Sequence, residues 1–95
     1  MSKHALSTTN QQILIAKFIN KYGSINRYHA DAIGVCHLAA RIYELKNKGF
    51  KISSISELAT DPHGIEHKGI SRYWFDYKAM TQEQIEKMNK LLGKS

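Results

Sequence analysis

The chain has 95 residues, 42% hydrophobic and 23% charged, which fits one folded domain with a modest core and leaves no room for two. A single cysteine, Cys36, excludes an intrachain disulfide scaffold and a cysteine-based zinc cluster; the longest clean apolar run, Ile13–Ala16, is too short for a membrane span or a signal-peptide core, so a cytoplasmic protein is expected. The formal charge is +6, and residues 1–51 carry all of it, with eight basic against two acidic side chains; residues 52–95 carry six of each, and this asymmetry points to a polyanionic partner, above all nucleic acid.

The first predicted element is a helix from about Asn10 to Tyr22. Thr8, Thr9 and Asn10 offer caps, and Leu14, Phe18 and Tyr22 recur at a spacing of four beside Ile15 and Ile19, an apolar stripe. A short helix over Arg27–Ile33 follows, with Asn26 as its cap and Gly34 past its end. The third helix runs from about Cys36 to Lys48, with Leu38, Ile42 and Leu45 on one face and Lys46 and Lys48 in the last turn, where they complement the dipole. After Gly49, Phe50, Ile52 and Ile55 lie among Lys and Ser in a β-type stretch. Ala59–Gly69 reads as a loop around Asp61-Pro62-His63-Gly64. Ile70–Tyr77 is a second strand in which Tyr73, Phe75 and Tyr77 share a face, while Trp74 points the other way and is available to another element such as the C-terminal helix. Thr81–Leu92 closes the chain as a helix with a Thr81/Gln84 capping box and a narrow stripe of Ile85, Met88 and Leu92. The expected organisation is a tail over 1–9, a main domain over 10–78, and a C-terminal helix and tail over 79–95.

Helix, helix, helix, strand, strand, helix, with Gly34-Val35 between two short helices, outlines a helix-turn-helix followed by a hairpin wing. The fold class is therefore mainly α with a small β-hairpin. The stretch Gly34-Val-Cys-His-Leu-Ala-Ala-Arg-Ile-Tyr-Glu-Leu-Lys-Asn-Lys-Gly-Phe50, with Gly23-Ser24-Ile25 before the second helix and Arg72-Tyr73 in the last strand, resembles the small winged helix-turn-helix proteins of phages and prophages over about residues 10–78. The long, weakly basic loop and the added C-terminal helix depart from that pattern. The resemblance implies a three-helix core, a wing and double-stranded DNA binding; a transcriptional regulator is the function expected on that footing.

With the third helix as reader, the candidates for base contact are His37, Ala40, Arg41, Tyr43 and Asn47, because residues near the start of a recognition helix reach base edges. Arg41 could bind guanine with two hydrogen bonds, and Ala40 could touch a thymine methyl. Glu44, out of place beside phosphates, is expected to pair with Lys48. Candidates for phosphate contact are Lys17, Lys21, Arg27, Tyr28, Lys46, Lys48, Lys51 and Arg72, with Arg27 and Tyr28 opening the second helix where free N–H groups favour an anion. Each also has the plainer reading of a solvated surface charge.

Other chemistries find little support. His63 and His67 are four apart with Glu66 between, but Pro62 and Gly64 make the segment a loop and no further zinc ligand is evident. Cys36 and His37 are neighbours pointing about 100° apart on a helix, with no third group to orient them. A phosphate-cradling glycine loop is absent from the sequence. Tyr73, Trp74 and Phe75 could stack single-stranded bases, though such a run more often packs a strand on its helices. No enzyme, metal or cofactor is expected. The rival function is a protein-binding inhibitor of a host or defence complex built on the same scaffold, and the C-terminal stripe leaves room for a homodimer.

Overall fold

The computed structural model describes residues 7–93. Ser7 caps α1 (Thr8–Tyr22), its Oγ accepting the N–H of Asn10 at 3.1 Å, so the helix begins two residues before the expected start and most of the predicted tail, residues 1–6, lies outside the described residues. The buried face of α1 is also displaced from the expected one. Ile15, Ala16 and Ile19 are buried with Gln12, whereas Leu14 and Phe18 are half-buried and Tyr22 is exposed. Tyr22 lies past the edge of the core and packs on Phe18 instead, ring centroids 4.6 Å apart.

Asn26 caps α2 (Arg27–Ala32) through its Oδ1, which accepts from the N–H groups of Tyr28 and His29. The helix stops in a doubly bonded reversal. Gly34 N–H reaches the Asp31 carbonyl at 3.2 Å and Val35 N–H the Ala30 carbonyl at 2.8 Å. That geometry needs a residue with positive φ, and Gly34 has φ 88°. Val35 is driven into the core and Ala30 is fully buried, which lets α2 approach its neighbour. α3 (Leu38–Asn47) starts two residues later than expected, so Cys36 and His37 precede it. Leu38, Ile42 and Leu45 are its buried stripe.

β1 (Ile52–Thr60) and β2 (Glu66–Phe75) pair antiparallel, Ile52 opposite Phe75 and Thr60 opposite Glu66, with an irregularity between Glu57 and Ala59. The expected loop Ala59–Gly69 shrinks to 61–65, because both arms continue as strand. Asp61 closes the turn: its Oδ1 accepts from His63 N–H at 2.9 Å and Ile65 N–H at 3.0 Å, and its Oδ2 lies 2.8 Å from His67 Nε2. Polar, charged residues look like loop in a sequence, yet they suit a solvated hairpin tip equally well. On the other edge of β2, Ile25 forms a single bridge with Tyr73 and ties the α1–α2 connection to the sheet.

A 3-10 turn at Tyr77–Ala79 leads to α4 (Gln82–Leu91), which opens with the expected Thr81/Gln84 capping box. Met88 is 1% exposed and belongs to the same core as Ile15, Leu45 and Phe75, and Ile85, Leu91 and Leu92 pack against that core. α4 meets α1, so the apolar cover its stripe requires comes from its own chain. α4 thus packs on the main core through Met88, Ile85, Leu91 and Leu92. Trp74 is half-buried opposite Ser53. Among the described residues no helix is long and apolar enough to cross a membrane.

Candidate nucleic-acid interface

A helix packed by one stripe must present the rest of its surface elsewhere, and in α3 that surface divides into three arcs. Taking Leu38 as the origin at about 100° per residue, Arg41, Glu44 and Lys48 fall on one flank, Ala39 and Lys46 on the other, and Ala40, Tyr43 and Asn47 between them. The first flank is occupied by α1. Glu44 Oε1 accepts from Gln12 Nε2 at 3.0 Å, and Lys48 Nζ donates to Gln12 Oε1. This satisfies the buried Gln12 amide at both ends, and it replaces the expected Glu44–Lys48 pair.

Arg41 belongs to the same flank. Its Nε lies 3.0 Å from Glu44 Oε1, its Nη2 donates to Glu44 Oε2 at 3.1 Å and its Nη1 to Thr8 Oγ1 at 3.4 Å. The guanidinium expected to read guanine is therefore neutralised and turned toward α1. Ala40, Tyr43 and Asn47 are all exposed on the central arc, Tyr43 by 66%, and His37 is exposed just ahead of the helix without a side-chain capping bond. Ala39, not expected at the site, joins them. Its angle from the buried stripe was readable in the sequence, but only the position of the hairpin makes that flank open.

Beside the start of α3 runs a groove of about 510 Å³, lined by Arg27 and Asp31 of α2, His37, Ala39 and Ala40, and Ser71 and Tyr73 of β2. The hairpin forms one wall of this groove and α2 the other. Arg72, expected as a phosphate contact, is instead engaged within the protein. Its Nε donates to Glu57 Oε1 at 2.8 Å, its Nη2 lies 2.7 Å from Glu57 Oε2, and its Nη1 donates to Ser24 Oγ at 2.8 Å. Hydrogen bonding from Arg72 holds the Glu57 carboxyl below its ordinary range. Arg72 thus fastens the hairpin to the α1–α2 connection, a role the sequence did not disclose because Glu57 becomes its neighbour only through strand pairing.

The remaining phosphate candidates separate by place. Arg27 is exposed at the groove, its guanidinium carbon 5.7 Å from the Tyr28 ring centroid, and Tyr28 is half-buried. The N–H groups of Tyr28 and His29 are taken by Asn26, so the α2 start offers an anion its side chain rather than its backbone. Lys46 and Lys51 are exposed and line one depression at the far end of α3. Lys17 and Lys21 are exposed too, but stand about 140° and 180° around α1 from Gln12, the residue that faces α3, and so point away from it.

A small α3 with one face open, preceded by a tight glycine turn and walled by a two-stranded hairpin, also has a counterpart among protein families: residues 10–77 match the family described as winged helix-turn-helix domain. The chain belongs to that family. No curated protein and no solved structure matches it significantly. In winged-helix terms, α2 and α3 are the helix-turn-helix, β1 and β2 the wing, and the match ends at Tyr77, the first residue of the 3-10 turn that leads into α4. Membership in the winged-helix family suggests DNA binding.

Proposed function

We propose that this winged-helix protein binds double-stranded DNA with α3 in the major groove and serves as a transcriptional regulator of the kind carried by phages and prophages. The observation that carries the reading is the open arc of α3: Ala39, Ala40, Tyr43 and Asn47 stay exposed while the opposite stripe is fully committed to the core. Cations stand at both ends of that arc, Arg27 beside its start and Lys46 and Lys51 beside its finish, where the two phosphate backbones flanking a major groove would pass. The wing, with Lys68 as the only basic residue between Lys51 and Arg72, contributes a wall more than a charge. A DNA partner implies action in the cytoplasm.

A salt titration of binding to mixed-sequence duplex DNA tests this. With about six phosphate contacts the log–log slope of affinity against salt is expected near −5, and binding indifferent to salt would remove the proposed role. Selection from a random duplex pool then defines the preferred site.

A further inference from the structure

We infer that α3 reads its site chiefly through thymine methyl groups, so that the base pairs facing its first turn are A·T; the inference rests on the DNA-binding reading above. Hydrogen-bonding readers of the major groove are Arg or Lys for guanine and Asn or Gln for adenine. In the first two turns of α3 the only such side chain is Arg41, and its guanidinium is held by Glu44 and Thr8 against α1. Lys46 and Asn47 stand about 9 and 10.5 Å farther along the axis than Ala40, at the end that lifts away from the bases in this docking mode. His37, ahead of the helix, could add a single bond, not the paired bonds by which guanine or adenine is usually fixed.

What the first turn does present is Ala39 and Ala40, both exposed and both lining the groove beside the wing. Short side chains at this position let the helix backbone come close to the base edges and offer them only methyl groups. Thymine is the one base with an apolar group, its 5-methyl, on the major-groove edge. Contact between methyls removes apolar surface from water, whereas a guanine or cytosine edge pressed against alanine would lose its hydration with nothing in exchange. Tyr43, one turn on and exposed, extends the same apolar surface.

The test uses the full chain and the duplex returned by selection from a random pool. Each thymine is replaced in turn by uracil, which deletes the methyl and leaves the hydrogen-bonding edges unaltered. One or two positions are expected to lose about fourfold in affinity each, the worth of one buried methylene-sized group. The loss should disappear in Ala39→Gly or Ala40→Gly, and the exposed Ala40→Ser variant, which spares the helix a glycine, should reduce it as well. Equal binding of the uracil form at every position, a contacted site without thymine, or a uracil penalty undiminished in these variants overturns the inference while DNA binding stands. A selection that returns no preferred sequence overturns base reading by α3 and this inference together.

Discussion

Arg41 and Glu44 lie one turn apart on α3 and close a two-point ion pair, Nε to Oε1 at 3.0 Å and Nη2 to Oε2 at 3.1 Å. Glu44 also accepts from Gln12, so the pair joins the reading helix to α1. The acid that looked misplaced beside phosphates and the base that looked poised for guanine cancel each other on a flank that faces the protein. Arg41→Ala is accordingly expected to cost about 0.2–1 kcal/mol of stability, the range for surface ion pairs, and to leave the order of preferred DNA sequences unchanged. Thermal melts and a repeated selection check both halves.

The phosphate candidates should separate by position. Arg27→Ala, Lys46→Ala and Lys51→Ala are each expected to weaken binding to all sequences alike and to reduce the magnitude of the salt slope by about 0.9. Lys17→Ala and Lys21→Ala, on the far side of α1, should leave the slope unaltered. Equal effects from the two groups would mean that the DNA wraps further around the domain than α3 and its flanks.

His29 and Glu57 make stability depend on pH in the same direction. His29 Nδ1 accepts the Asn26 N–H at 3.1 Å, which requires that nitrogen to be unprotonated; burial, then the nearby Arg72 charge, lower its pKa from 6.5, and Glu57 offsets part of this. A histidine that folding prefers neutral contributes fully above 6.5, and the contribution is lost as pH falls through the lowered value. Glu57, lowered from 4.5, contributes above that value and is lost further into acid. The melting temperature should therefore fall in two stages below pH 6.5. His29→Gln, which keeps an acceptor for the Asn26 N–H, should remove the first stage, and Glu57→Gln should reduce the second, to which Asp61, held low chiefly by its hydrogen bond with His67, also contributes.

Met88 tests whether α4 is integral. Met88→Ala should cost about 2–5 kcal/mol, as for other large-to-small changes in a core. For a domain of this size each kcal/mol lowers the midpoint by roughly 4–8 °C. The DNA affinity of the molecules that remain folded should not change. A melting temperature close to that of the parent chain would show that α4 does not share the core.

Gly34 occupies a positive-φ position that the reversal into α3 demands, with φ 88°. Gly34→Val is expected to destabilise by about 1–3 kcal/mol, since a β-branched residue is strained there. Denaturant unfolding measures the loss, and an unchanged midpoint would contradict the assigned turn geometry.

The number and order of the α-helices and strands could be read from the sequence, because they depend on local signals, although the second strand gives way after Phe75 to a 3-10 turn that was not foreseen. Leu38, Ile42 and Leu45 recur at the helical period, Gly34 and Gly49 follow helices that only a left-handed residue can terminate in this way, and Thr81 with Gln84 caps α4 from within four residues. The same locality led the reading astray where polarity alone stood for loop, at 59–60 and 66–69, which the hairpin holds as strand. Which charged side chains are free was decided only by tertiary structure. Thr8 and Gln12 lie more than thirty residues from the α3 side chains they meet, and Ser24 lies 48 from Arg72, so no spacing rule could pair them. A charge becomes available to a ligand only when the fold gives it no nearer partner, and that depends on which distant segments packing brings to within about 3 Å of it.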